Sequence, residues 1–231
     1  ECIWPIYTTR YISNTQCDII IAHIDYFNAM PWFTGLRPKN ISGLQICYRY
    51  FIDIVTTHIG HIEDVDSPRM EKLRNNCYKL AAYADSMNSK FACETGTEKA
   101  VAMKKFLDDL GAKGLATNMD PANLVMVAKD DPVQAVYTLK DYIVHTHAKD
   151  GVMHYFKDPE FIYGIKHDDA LVTAPSFEEV PLGEGSVPWD KYLAALNDIG
   201  YKGFLTIERE VGDDPARDIG LAVKFLQEKM K

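Results

Sequence analysis

At 231 residues and 47% apolar content the chain can bury one substantial core, and residues 1–231 are expected to form a single barrel-sized domain. The formal charge of −8 is spread without acidic or basic runs, which excludes a Lys/Arg surface for nucleic-acid phosphates and favours a small neutral or metal-bridged substrate. Cys2, Cys17, Cys47, Cys77 and Cys93 form no CxxC pair and are odd in number, and no run approaches the ~18 apolar residues of a membrane span, so a soluble, cytoplasmic protein is expected.

In chain order, residues 18–26 (DIIIAHIDY) read as a strand, 31–43 as a Pro/Gly-containing loop and 44–50 as a helical piece. The run Ile52–Gly60 is a strand that stops at His58. Asp66, Ser67 and Pro68 carry helix-start chemistry, and Leu73, Cys77, Leu80, Ala81 and Ala84 recur at a helical period over Met70–Met87. The segment Phe91–Gly96 (FACETG) is a strand, followed by a helix over Thr97–Leu110 with Thr97 as cap and Gly111 as its stop. Leu115–Asn123 and Ile143–Gly151 repeat the pattern of an apolar run ending in an ionisable residue and a turn, with a helix over Asp131–Lys140 between them. Residues 151–186 are rich in turn formers and aromatics, which suits a long loop over an active site. Helices over Trp189–Ile199 and Pro215–Met230 flank a last strand, Phe204–Glu210.

Buried strands that end in carboxylates or imidazoles place reactive groups at their C-terminal tips, and parallel strands joined by helices gather those tips at one end. Glu94 and Asp120 are 26 residues apart (120 − 94), and Asp120 and His147 are 27 apart (147 − 120), about one βα unit each. Such tips, held together, would make a metal site. Six strands are countable, ending near residues 25, 58, 94, 120, 147 and 208, short of the eight in a closed barrel. Residues 1–16 have room for one more at most, so the beginning of the chain is read as lacking or divergent.

The segments CETG (93–96), MDPANL (119–124), HTHAKDG (145–151), PLGEGSVPW (181–189) and GYKGFLTIERE (200–210) together resemble the sugar phosphate isomerase/epimerase family. That family is also called xylose-isomerase-like and includes ketose 3-epimerases and inosose dehydratases. The likeness runs from about Ile54 to the C-terminus, while residues 1–52 match poorly. It implies a (β/α)8 TIM barrel whose first one or two βα units are lacking or divergent. It also implies one divalent metal ion, held by Glu94, Asp120, His147 and Glu208.

Three oxygen donors and one imidazole suit Mn²⁺ first, with Mg²⁺, Co²⁺ or Zn²⁺ also compatible. Glu94 and Glu208 are the expected proton-transfer pair for isomerisation or epimerisation of a ketose or related polyol, phosphorylated or not. Dehydration of a keto-polyol on the same site and a non-catalytic sugar-binding barrel are the alternatives. His58, His145, Lys149 and Glu210 are the expected substrate contacts; a homo-oligomer is allowed. Each has a bland reading beside it. A lone carboxylate at a strand end is commonly a helix cap, His145 sits two residues below His147 and can serve as an orienting layer, and Lys149 can be a solvated charge. Likewise Arg209 reads as a surface or inter-loop ion pair, and Asn123 as a tie for the Asp120 loop. His23, Asp25, Trp32, Phe33, Tyr155, Phe156, Phe161 and Tyr163 are weaker candidates for the site or its apolar wall.

Overall fold

The computed structural model describes the strand Ile6–Thr8 and residues 53–63, 65–166 and 174–231. The expected strand over 18–26 with His23 and Asp25, the loop with Trp32 and Phe33, the helix over 44–50, and Cys2, Cys17 and Cys47 lie outside the described residues.

β1 (Ile6–Thr8) and β2 (Ile54–Thr57) precede α1 (Pro68–Ser86). The Ser67 hydroxyl caps α1 by accepting from Met70 N at 3.1 Å, and Pro68 sits in the first turn, where its missing N–H is harmless. Met70, Cys77, Ala81 and Ala84 form the buried face of α1, as the apolar period requires. β3 (Lys90–Glu94) then leads to α2 (Ala100–Leu110), whose start differs from expectation. Thr97 is not its cap. Lys99 holds the cap position without a side-chain bond, and Ala100 N donates instead to Asp130 Oδ2 at 2.7 Å. A carboxylate distant in sequence satisfies this helix end, which no local pattern reveals.

β4 (Leu115–Met119) runs into a short helix α3 (Pro121–Asn123), a π-helical turn over Leu124–Ala128, and α4 (Pro132–Leu139), capped by Asp131. After β5 (Ile143–Ala148), the segment expected as one long loop contains instead β6 (Asp150–Met153), α5 (Pro159–Ile162) and β7 (Phe177–Val180), with β6 and β7 paired antiparallel. Strands this short, carrying glycine and paired glutamates, show no apolar alternation, so backbone pairing decides what side-chain pattern does not. α6 (Trp189–Asp198), β8 (Leu205–Ile207) and α7 (Pro215–Lys229) complete the chain.

Among the described residues, six strands form one parallel sheet in the order β1-β8-β5-β4-β3-β2, curled like part of a barrel, with β1 and β2 at its edges. Parallel pairing puts all C-terminal ends on one side. Phe91, Met119, Leu205 and Ile207 from strands and Met103, Leu107, Leu139 and Leu196 from helices are fully buried in one core. α2, α4 and α6 pack side by side over it. The β4–β5 register slips, with Thr117 opposite Ile143 but Asn118 opposite His145, so that Val144 is the extra residue of a bulge in β5. No helix among the described residues is long and apolar enough to cross a membrane.

Candidate metal centre

Glu94 ends β3, Asp120 follows β4, His147 lies near the end of β5 and Glu208 follows β8. Each contributes one oxygen or nitrogen to a group whose atoms all lie within 4.8 Å of one another, and all four residues are buried. Three carboxylate oxygens converge on one imidazole nitrogen. His147 Nδ1 is 3.2 Å from Asp120 Oδ2, 3.3 Å from Glu208 Oε2 and 3.4 Å from Glu94 Oε1.

Neighbouring contacts fix these positions. Asp120 serves as cap and cluster member at once: Oδ1 accepts from Asn123 N at 2.9 Å at the start of α3, while Oδ2 faces His147. Thr95 and Asp120 clasp one another, Asp120 N donating to Thr95 Oγ1 at 2.8 Å and Thr95 Oγ1 donating to Asp120 O at 3.2 Å. Asn123 Nδ2 donates to Glu94 Oε1 and to Thr95 O, each at 3.3 Å, so its architectural reading stands. Gly96 is required beside it, because a Cβ there would lie 2.2 Å from Asn123 Cβ.

Burial opposes the charge on His147, yet Glu208, Glu94 and Asp120 outweigh it and hold its proton well above the usual imidazole range. Burial also opposes the Glu208 charge, but His147 and Lys149 keep its carboxyl well below the ordinary carboxylate range. Three mutually close, buried carboxylates are costly without cations, and hard oxygen donors with one imidazole are what a divalent ion such as Mn²⁺ or Mg²⁺ accepts. The donor set therefore fits one divalent metal.

Around the cluster lies a second ring of charge. Lys149 is buried and not solvated: Nζ donates to Glu210 Oε2 at 2.6 Å and Glu208 Oε2 at 3.0 Å, and stands 3.6 Å from Glu179 Oε2. Burial works against its ammonium, but Glu208, Asp120, Glu210 and Glu179 hold it charged well above the usual lysine range. Arg209 is likewise an inter-loop pair, joining Glu179 Oε1 on β7 and Asp218 Oδ2 on α7, both at 2.8 Å.

His58 places Nε2 3.2 Å from Glu94 Oε1 with its side chain 41% exposed, so it borders the cluster from the open side. His145 lies a layer deeper, its Nε2 2.8 Å from Thr206 Oγ1 and its ring edge-on to that of His147. Of the aromatic candidates, Tyr163 lies near the acidic groups: burial first, then the charges of Glu98 and Glu94, push its hydroxyl up to about 12. Tyr155 donates to Ala174 O at 2.7 Å, and Phe156 is exposed beneath Lys129.

Sequence reasoning passed over three residues here. Glu179 falls in the stretch expected as loop. Asp150 follows Lys149 at the start of β6, and its carboxylate accepts from Gly151 N at 2.9 Å, Gly183 N at 3.0 Å, Val187 N at 3.1 Å and Trp189 Nε1 at 2.8 Å. This pins the 181–189 segment to β6, and Gly185 lies so close that a Cβ would meet Asp150 Oδ1 at 2.1 Å. Asn118 is the third; an amide inside the strand-forming run Leu115–Met119 is the signal that could have found it.

A family model described as xylose isomerase-like TIM barrel matches residues 40–229. Among solved structures, a xylose isomerase domain protein from Planctomyces limnophilus is 26% identical with a TM-score of 0.66; the alignment covers 81% of this chain and 62% of that protein. The probable 3-DHS dehydratase AsbF of Bacillus anthracis is 19% identical with a TM-score of 0.59, covering 84% of this chain and 73% of that one. D-psicose 3-epimerase of Clostridium cellulolyticum, solved with D-tagatose, is 16% identical with a TM-score of 0.57, covering 82% and 68%. These last two share the fold at that level of identity. Comparison with curated proteins finds no match.

Proposed function

The chain belongs to the xylose isomerase-like TIM barrel family, and from that premise we propose that it is a divalent-metal-dependent isomerase or epimerase acting on a ketose or related polyol. The observation that carries this reading is the convergence of Glu94, Asp120 and Glu208 on Nδ1 of His147. These four residues would hold the ion, Mn²⁺ being our first choice. Such an ion, when bound, polarises a substrate carbonyl and its neighbouring hydroxyl.

Glu208 is the better-defined base. Its carboxylate stays ionised beside His147 and Lys149 and so is free to accept a proton, although the same partners weaken it as a base; its place in the cluster, next to where the ion would hold the carbonyl, is what recommends it for the carbon beside that carbonyl. Glu94, across the cluster, carries a proton taken up from solvent and delivers it to the resulting enediolate from the other side, while Glu208 gives its own proton back to solvent. Lys149 remains an ammonium under the surrounding carboxylates, which makes it a fixed cation for a developing oxyanion and not a base. His58 would contact a substrate hydroxyl, a role supported by its partly exposed place beside Glu94.

Dehydration at the same site is the second reading, favoured by Glu210. Burial and the nearby Glu208 charge raise its carboxyl above the usual range against the pull of Lys149, which suits an acid that protonates a departing hydroxyl.

The test is incubation with ketoses, ketose phosphates and inosose in D₂O with Mn²⁺, followed by NMR. Solvent deuterium should enter a substrate carbon with the wild type, and Glu208→Gln should lower the exchange rate by about 10²- to 10⁴-fold while leaving the fold intact. Unchanged exchange in the variant would remove Glu208 from this role. Appearance of an unsaturated product without epimer would favour dehydration.

A further inference from the structure

We infer that Asn118 is a positioning residue whose side-chain oxygen accepts the Nε2 proton of His147 and so keeps Nδ1 turned, lone pair first, toward the three carboxylates; this rests on the metal reading above. Two observations meet at this residue. The Asn118 amide lies 3.0 Å from His147 Nε2, on the ring edge opposite Nδ1. With Nδ2 in that contact, Asn118 Oδ1 is buried and has no hydrogen-bond partner.

An amide's nitrogen and oxygen exchange places by a half-turn about the last side-chain torsion, and the hydrogen-bond network decides which way it points. If Nδ2 donates, Nε2 must be bare and a neutral ring carries its proton on Nδ1, aimed at Glu94, Asp120 and Glu208. That form cannot ligate through Nδ1. With the amide turned over, Oδ1 gains a partner in Nε2–H and Nδ1 is left as the donor atom facing the cluster. The same orientation serves a doubly protonated ring, since Nε2 carries a proton there too. A buried, otherwise unsatisfied acceptor is costly, so the turned amide answers both the orphaned oxygen and the ligand chemistry.

The fold supplies the means. Asn118 is opposite His145 because the β4–β5 register slips between Thr117 and Asn118, and it lies two residues before Asp120, on the same side of an extended strand. One strand thus delivers a member of the cluster and the group that orients another.

The experiment measures Mn²⁺ binding by calorimetry for the wild type, Asn118→Leu and Asn118→Asp, with circular dichroism checking the fold. It is joined by ¹⁵N NMR of His147 in the Mg²⁺-loaded wild type. Leucine removes the acceptor and should weaken Mn²⁺ binding by about 10- to 100-fold. Aspartate keeps an acceptor at the same place and should restore binding to within a few-fold of wild type, which a packing role would not. Nε2 should be the protonated ring nitrogen. Equal binding by the leucine variant, no rescue by aspartate, or a proton on Nδ1 would overturn the assignment while leaving the metal reading in place. A folded wild type that takes up neither Mn²⁺ nor Mg²⁺ would overturn the metal reading itself, and this assignment with it.

Discussion

One buried carboxylate, Asp150, and a cluster of three, Glu94, Asp120 and Glu208, lie near the end of β5 and are satisfied in opposite ways. Asp150 accepts four hydrogen bonds from neutral N–H donors, three of them backbone, and its oxygens are thereby occupied in holding the 181–189 segment. Glu94, Asp120 and Glu208 face one another across a single imidazole, with one atom from each of the four residues within 4.8 Å; Asn123, Lys149 and His58 reach them from outside, but three carboxylates still share one imidazole at the centre. The first arrangement is complete as it stands and resists change. The second is crowded with like charge, so it gains most from an added cation. What separates a structural carboxylate from a chemical one is the donor set around it, and burial alone does not tell them apart.

The contrast predicts unequal costs of removal. Asp150→Ala should be the most damaging, leaving Trp189 Nε1 and the backbone N–H of Val187 buried without an acceptor; at ~1–3 kcal/mol each the loss is on the order of 4 kcal/mol, read by urea unfolding. A loss below about 1 kcal/mol would dissolve the distinction.

Glu98 sharpens it from another side. This carboxyl is buried, accepts from Thr97 Oγ1, and leaves its other oxygen without a partner; burial, against the hydrogen bonds from Thr97 and the Ile62 backbone, raises it from 4.5 to about 7. In that window the folded state keeps a proton that the unfolded state has released. Stability from Glu98 is therefore present in full below pH 4.5 and declines as pH rises to about 7, by roughly 3 kcal/mol at ~1.4 kcal/mol per unit. Glu98→Gln should remove this decline in melting curves taken across the range; an unaltered slope would mean another group titrates there.

The smallest effect is expected where the chemistry is densest. Glu94→Gln should change the stability of metal-free protein by less than about 1 kcal/mol, because relief of repulsion offsets the lost attraction to His147 and His58, while Mn²⁺ binding weakens markedly. Large destabilisation without metal would place Glu94 with Asp150.

Much of this was legible along the chain. The apolar period of α1, the Ser67–Pro68 start and the strand tips at Glu94, Asp120, His147 and Glu208 were readable because each depends on residues within a turn or a strand of one another. The start of α2 was not, since Asp130 reaches it from across a loop, and neither was the β6–β7 pair, whose four-residue strands carry no apolar alternation. Lys149 and Arg209 illustrate the same limit: a Lys or Arg after a strand has no local mark of burial until Glu179, Glu208 and Glu210 close around it.

By itself the sequence determined which strands end in ionisable groups and, through their regular spacing, that these ends share a side of a parallel sheet. Tertiary structure alone decided which of those charges meet, which are already satisfied, and which nitrogen of His147 they address. The reason is physical: periodicity is a property of the local backbone, whereas the energy of a buried charge is set by whatever donors the rest of the chain brings within a few ångströms of it.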